Sequence, residues 1–261
     1  MDWNSLAVVS CVLLFGLLEN NFPFFEFKQS FNQRTYPNLL LGCVNVVANS
    51  VTIAFVLNWI WQQTFWQGFL QFIQSPVLAI VISFLVLDAY LYLWHRLMHS
   101  NRLTWRFHQV HHTEISMNTS TAYRFHTVEV ILSNIPKLFL VWLFGIKPSY
   151  LFVYEITLAI GLIFHHSNLA LPWKLDKCLS YLIVTPNFHR SHHSQVFAST
   201  KTNYASLLTI WDRLFQTCYY PKYPEKINLG LPEYPKNLNV LQLILLPFKS
   251  EKREKSNSLL S

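Results

Sequence analysis

The 261-residue chain contains few charged residues: 13% are Asp, Glu, Lys or Arg, whereas 52% are hydrophobic. This charged share is about half of what a typical soluble protein carries. A water-soluble surface is therefore difficult to build, and an integral membrane protein is favoured. The net charge is +7, but the cations outside the C-terminal tail lie close to apolar stretches, as at a lipid headgroup surface. We expect a membrane partner and no nucleic-acid partner.

Cysteine motifs and a targeting signal are also lacking. The four cysteines are far apart and form no C-x-x-C motif, which excludes a disulfide framework and a thiolate metal site. The first apolar stretch, residues 6–18, has no basic segment before it and no small-residue cleavage site after it. We expect a short or partly inserted helix here rather than a cleaved signal peptide.

Histidine is confined to one part of the chain, because residues 1–94 and 194–261 contain none of the eleven. Eight histidines form three boxes, each with a spacing that puts its rings on one helix face: His95 and His99; His108, His111 and His112; His189, His192 and His193. Neutral imidazole is the commonest protein ligand for transition metals. Since one tetrahedral zinc takes about four ligands, the boxes predict two metal ions.

Apolar runs predict the membrane spans, and no repeat or strand pattern is visible. Four runs lie at residues 39–61, 76–94, 128–146 and 148–164. The last two contain Glu129, Lys137 and Glu155, so we expect a helical hairpin that is partly buried in protein. The predicted fold class is all-α: an integral membrane helical bundle with a cytosolic histidine-rich metal-binding cap.

Charge and the number of crossings predict the orientation. Residues 62–75 carry no charge, whereas Arg96, Arg102 and Arg106 follow the run at 76–94. By the positive-inside rule, the histidine boxes of this multi-pass protein face the cytoplasm. Two further crossings separate the second box from the third, and an even number returns the chain to the same side. All three boxes are therefore expected to meet.

Several segments resemble the fatty acid hydroxylase and sterol desaturase superfamily of integral membrane oxygenases, over residues 87–217. The similar segments are the first box with the aromatic helix before it (88–99), W-R-F-H-Q-V-H-H (105–112), R-F-H-T-V-E (124–129), H-S-N-L-A-L-P (166–172), the third box (185–194), N-Y (203–204) and W-D-R-L-F-Q-T (211–217). Two positions depart from the family pattern: Thr127 replaces a proline and Gln216 replaces a glycine.

The resemblance implies a non-haem centre of two iron ions, which zinc can replace in isolated protein, with O2 as co-substrate. It implies hydroxylation or desaturation of a C–H bond in a lipid, such as a fatty acyl chain or a sterol. The sequence contains no flavin fingerprint, haem motif or iron–sulfur cysteines. A separate electron donor, such as a cytochrome, a ferredoxin or a reductase, is therefore implied, and no catalytic residue is expected beyond the metal centre.

The predicted metal ligands are the eight box histidines and His166. Four further residues are expected either to bind metal or to hold a ligand in place: His126, His165, Asp88 and Glu129. His165 competes with His166, and His126 either binds metal or holds Glu129. Asp88 lies two turns before His95, so it either orients a first-box histidine or forms a salt bridge between helices. We expect Asp212 to pair with a nearby arginine.

Three parts of the chain are predicted: N-terminal membrane helices (1–75), a catalytic domain like the fatty acid hydroxylases (76–220), and an irregular C-terminal tail (221–261) with a disordered end at 250–261. The alternative function is a non-redox metal-binding or transport membrane protein. A carrier usually places its ligands within the membrane along a path, whereas these boxes lie at the ends of spans. A metal-assisted lipid hydrolase is a third possibility.

Overall fold

The computed structural model of the chain describes residues 3–249, and these contain α-helices and no β-strand. The predicted end at 250–261 lies outside the described residues. The helices are α1 (Trp3–Asn21), α2 (Phe31–Arg34), α3 (Tyr36–Gln62), α4 (Pro76–Met98), α5 (Arg102–His112), α6 (Thr127–Phe144), α7 (Pro148–His166), α8 (Trp173–Leu179), α9 (Pro186–His192), α10 (Phe197–Thr200), α11 (Ile210–Leu214) and α12 (Val240–Leu245). Short 3-10 helices lie at Phe69–Phe72, Thr119–Tyr123, Pro224–Lys226 and Leu246–Phe248.

Helices α3, α4, α6 and α7 are long and apolar enough to cross a membrane. They match the four predicted runs, and α1 contains a shorter apolar stretch. Large apolar side chains are exposed on α3, α4 and α6, including Phe55, Val77 and Ile135. Such a surface suits lipid rather than water. The predicted all-α membrane bundle is therefore confirmed.

Local signals explain where the spanning helices begin and end. Helix α4 begins at Pro76, and the Ser75 side chain accepts a hydrogen bond from the Leu78 N–H at its first turn. Helix α6 ends at Gly145, whose φ of 68° is the left-handed conformation that glycine adopts without strain. Helix α7 follows at once, beginning at Pro148. Helices α6 and α7 thus form the predicted hairpin.

Two contacts hold the ends of the chain against the histidine-rich cap. Glu19 of α1 accepts hydrogen bonds from the backbone N–H groups of Thr119 (3.0 Å) and Asn168 (2.8 Å). In the C-terminal segment, Leu243 of α12 packs in a buried cluster with Leu41 of α3. The first helix and the segment after residue 221 therefore both cover the cap, and the described part of the C-terminal segment includes the short helix α12 and two 3-10 helices.

Candidate metal centre

Nine histidines converge in two groups at one end of the spanning helices. In each group the ring nitrogens that can bind metal all lie within 4.8 Å of one another. Site A contains His95, His99, His108, His112 and His192, and site B contains His111, His166, His189 and His193. These nine are the nine predicted ligands, and their role as ligands remains a prediction.

The rings of site A point unpartnered nitrogens at a common centre. The Nε2 atoms of all five are buried and have no hydrogen-bond partner among the described residues. Three of these rings are held through Nδ1 by an oxygen atom: His95 by the Tyr204 carbonyl at 2.8 Å, His108 by the Glu129 carboxylate at 2.8 Å, and His192 by the Thr202 carbonyl at 2.7 Å. An Nδ1–H donor leaves Nε2 unprotonated, which is the tautomer that binds a metal.

In site B the ring nitrogens themselves approach one another. The Nε2 atoms of His111, His166, His189 and His193 form a chain of contacts at 3.1, 3.0 and 3.2 Å. A tetrahedral ion with bonds of 2.0–2.1 Å places its ligand nitrogens about 3.3 Å apart. The Nδ1 atom of His166 lies 2.8 Å from the Leu162 carbonyl, so its Nε2 is free to bind a metal. The spacing in site B therefore suits one metal ion.

Burial keeps six of these imidazoles neutral. For the site histidines outside the spanning helices, burial is the largest cause of a pKa well below 6.5, and neighbouring imidazoles lower the pKa further: His99, His111, His112, His189, His192 and His193. Metal binding requires the neutral form. The residues present therefore fit two transition-metal ions.

The third box is fixed in place by two buried charged residues. Asp176 accepts hydrogen bonds from the Thr185 hydroxyl (2.7 Å) and the Asn187 N–H (3.2 Å) at the start of α9. Arg190, within the box, donates to the Ser167 carbonyl (3.0 Å) just after α7. Helix α9 is thus attached to the end of α7, which brings its histidines to His166.

The second box is anchored by Arg124 from the R-F-H-T-V-E segment. Its guanidinium donates to the Val110 carbonyl (3.1 Å), the Thr113 hydroxyl (2.8 Å) and the Asn38 side chain (2.8 Å). These bonds join the C-terminal turn of α5 to the membrane helix α3. The same turn carries His111 and His112, so Arg124 fixes where both rings stand.

The closing motif of the family shapes the loop that holds His95. Asp212 accepts hydrogen bonds from the backbone N–H groups of Tyr204 (2.9 Å) and Ala205 (3.0 Å), and burial raises its pKa to about 6. Arg213 donates to the Ser180 carbonyl instead. The predicted pairing of Asp212 with an arginine is therefore wrong: among the described residues Asp212 forms no salt bridge, and its carboxylate bonds to backbone N–H groups instead.

Both interpretations of Asp88 are wrong. Its carboxylate accepts hydrogen bonds from the Trp211 indole N–H (2.7 Å) and the Leu208 N–H (3.2 Å), and within residues 3–249 it forms no hydrogen bond or ion pair with a histidine or a cation. The chain that follows the third box packs against this face of α4. Its N–H donors bond to Oδ2 of Asp88, whereas Oδ1 has no hydrogen-bond partner among the described residues, and the Nδ1 atom of His95 contacts the Tyr204 carbonyl.

His126 and His165 lie outside both groups. The Nδ1 atom of His126 accepts from the Val128 N–H (3.2 Å) and its Nε2 atom lies 3.1 Å from the Ile244 carbonyl, so neither nitrogen faces the centre. His126 does not hold Glu129, whose carboxylate holds His108 instead. His165 is buried beside site B, with its ring 4.3 Å from that of His189, but only its neighbour His166 enters the group.

A cavity of about 240 Å³ leads from the histidines into the spanning helices α4, α6 and α7. Rings of both sites line its inner end. Much of its wall is apolar, with Trp94, Leu158 and Leu162 among the lining residues, but a polar strip runs along it: Tyr90, Asn134, Lys137 and Glu155. We did not predict from the sequence that these residues line a cavity. The signal that could have indicated it is that they are polar residues within apolar runs.

Comparison with known proteins identifies the family. The model described as Fatty acid hydroxylase matches residues 80–217. The chain belongs to the fatty acid hydroxylase family. It is 29% identical to Ornithine lipid hydroxylase OlsE of Rhizobium tropici over 247 residues, which cover 88% of this chain and 71% of that protein. No solved structure matches the chain.

Other relatives match a shorter region of the chain. Alkylglycerol monooxygenase of Homo sapiens is 31% identical over 160 residues, or 57% of this chain and 32% of that protein. A putative methylsterol monooxygenase of Dictyostelium discoideum is 30% identical over 153 residues, or 58% and 55%. These relatives are named as lipid hydroxylases and monooxygenases, which confirms the predicted class, an oxidoreductase acting on lipids, and does not favour the metal carrier.

Proposed function

We propose that this membrane protein hydroxylates or desaturates a membrane lipid with O2, using two iron ions held at sites A and B. The observation that carries the proposal is the convergence of nine histidines, eight of them buried and His99 half-buried, in two groups at one end of a cavity among spanning helices. The relatives named as lipid hydroxylases and monooxygenases support it.

The donor set supports iron. Donor sets made only of nitrogen suit iron or zinc and disfavour magnesium and calcium. Iron at the two sites would supply the activation of O2 and the oxidation of an unactivated C–H bond. The chain itself holds the imidazole tautomers through Glu129 and the backbone carbonyls of Tyr204 and Thr202, and its cavity positions the lipid away from water.

Electrons must come from outside the chain, from a cytochrome, a ferredoxin or a reductase. We infer that they enter beside Trp105, because this half-buried indole packs against His99 and His112, with ring centroids 5.0 and 5.2 Å apart. Arg102 and Arg106 lie on the same helix, which suits an acidic donor. The positive residues at this end also support a cytoplasmic position for the centre.

The test compares the lipids of cells that express the wild-type chain, the His193→Ala variant or no chain, grown under 18O2. A lipid that gains heavy oxygen only with the wild-type chain indicates hydroxylation, and one that loses two hydrogens indicates desaturation. Metal uptake by the cells without any O2-dependent change in lipids would contradict the oxygenase and favour a carrier. Lipid cleavage without O2 consumption would favour a hydrolase.

A further inference from the structure

Two opposite charges face each other inside the spanning hairpin. The Nζ atom of Lys137 in α6 lies 3.0 Å from Oε1 of Glu155 in α7, and both residues line the cavity. The Lys137 side chain is 16% exposed and that of Glu155 is 41% exposed. Charged residues are costly within a membrane, where they mark substrate pathways more often than structure.

The pair lies deep in the cavity, well away from the histidines. Glu155 precedes His165 by ten positions on the same helix, which corresponds to about 15 Å at a rise of 1.5 Å per residue. It follows Pro148, the first residue of α7, by seven positions, or about 10 Å. The charges therefore lie near the middle of the spanning helix α7, about three turns from the end where the metal sites lie.

The hydrogen-bonding capacity of the pair is only partly used. A lysine ammonium has three donors and a carboxylate accepts several bonds, yet the contact between Lys137 and Glu155 is the one hydrogen bond found for either side chain within residues 3–249. Nearby, the amide of Asn134 bonds to Asn49, and both of these line the cavity as well. A purely hydrocarbon ligand would leave these groups unsatisfied, at a cost in free energy.

We propose that Lys137 and Glu155 bind a hydrogen-bonding group of the lipid substrate, one that carries no net charge, such as a hydroxyl or an amide. The inference rests on the proposed function, because it names the substrate class of the same cavity. The pair is neutral overall, and it offers donors and acceptors side by side, so a group that both donates and accepts satisfies it best. A carbon about 15 Å farther along the lipid then faces the histidines.

The test is a binding measurement on the full chain in nanodiscs with two probes of equal length, tritiated 1-dodecanol and tritiated n-dodecane. The wild type is compared with Lys137→Met/Glu155→Leu, in which apolar side chains replace the pair. We expect the double variant to bind 1-dodecanol about tenfold or more weakly than the wild type, since bonds to charged groups are among the strong ones. Its binding of n-dodecane stays unchanged.

Two further variants separate recognition from stability. Lys147→Met removes a cation from the turn of the same hairpin but outside the cavity, and it should keep the preference for the alcohol. The exchanged pair, Lys137→Glu/Glu155→Lys, should also keep the preference, because a hydroxyl can donate to one partner and accept from the other in either arrangement. It also keeps the measurement possible if the apolar variant does not fold.

The outcomes are distinguishable from those of the proposed function, since binding requires neither metal nor O2. An unchanged preference for 1-dodecanol in the apolar variant would overturn the inference. The inference would also be overturned if the apolar variant lost binding of both probes and had a lower melting temperature, because the pair would then serve only to join α6 to α7. If the wild type prefers 1-dodecanol and the apolar variant does not, but no assay finds an oxidised lipid, the recognition by Lys137 and Glu155 is supported and the proposed oxygenase function is contradicted.

Discussion

The Nδ1 atom of His108 lies 2.8 Å from Oε1 of Glu129, and both side chains are almost completely buried. This bond joins the second histidine box to the first turn of a spanning helix. It holds the His108 ring so that its Nε2 atom, which has no other partner among residues 3–249, points into site A. The R-F-H-T-V-E segment, which resembles a family motif, thus supplies a carboxylate that positions a histidine of site A.

Glu129→Gln should weaken metal binding at site A by about 10- to 100-fold, the range found when groups that orient ligands are lost. The amide can still accept a hydrogen bond, but it no longer stabilises the Nδ1–H tautomer as strongly. Competition with a metal chelator measures the affinity. Glu155→Gln is the matched control, because Glu155 lines the same cavity without contacting a histidine. Equal affinities for the wild type and Glu129→Gln would contradict this role.

The metal-free protein should lose stability as the pH falls through about 6.5. Six site histidines outside the spanning helices have pKa values well below 6.5 because burial disfavours the charged ring, whereas in the unfolded chain they titrate near 6.5. Between these values the unfolded chain binds more protons, so the free energy of unfolding decreases with decreasing pH. The Asp212 carboxyl, whose pKa burial raises to about 6, has the opposite effect on the free energy of unfolding, but it is outnumbered by the histidines.

Thermal unfolding of the metal-free chain at a series of pH values measures this effect. The melting temperature should be nearly constant above pH 7 and should fall steadily below pH 6.5, while the metal-loaded chain should resist to lower pH because bound metal excludes protons. A melting temperature that does not change between pH 8 and pH 5.5 would show that the histidines are not buried as neutral groups.

Gln216→Gly should stabilise the protein by about 1 kcal/mol. Gln216 has a φ of 57°, the left-handed conformation that favours glycine, and this is the position where the family pattern has glycine. Asn203 also adopts this conformation, with a φ of 58°, but its side-chain amide donates to the Phe188 carbonyl and the Ser191 hydroxyl. Asn203→Gly should therefore destabilise the protein.

Melting temperatures of the two glycine variants provide the comparison. The melting temperature should rise for Gln216→Gly and fall for Asn203→Gly, even though glycine removes the strain of a left-handed backbone at both positions. Metal content should fall together with the melting temperature for Asn203→Gly, since Asn203 holds the backbone of the third box. Gln216→Gly should leave the metal content unchanged. A fall in melting temperature for both variants would mean that the Gln216 side chain contributes more than its backbone strain costs.

The spanning helices were predictable because apolar length is a local property. Helix α4 extends beyond the apolar run at 76–94 to Met98, as the helical spacing of the first box predicts. Eight of the nine converging histidines were predicted as ligands from their spacing and His166 from the family resemblance, but their division between two groups could not be predicted. Neighbouring helix positions point about 100° apart, so His111 enters site B while His112 enters site A, and only the packing of distant helices decides which.

The failures of sequence reasoning share a physical cause. Spacing correctly placed Asp88 on the face of α4 that carries His95, but it did not reveal that Trp211, more than a hundred residues later, would supply the nearer donor. His126 lies in a family motif, yet its ring caps α6 and contacts the backbone of α12. In both cases the partner comes from a part of the chain that no local pattern connects to it.

The central claim, two metal ions held by two separate groups of histidines, is tested most directly by metal content per chain. Elemental analysis of protein reconstituted with iron should give two ions for the wild type and for His126→Ala. It should give about one ion for His99→Ala in site A and about one for His193→Ala in site B. One ion or fewer in the wild type, or two ions in both site variants, would contradict the account.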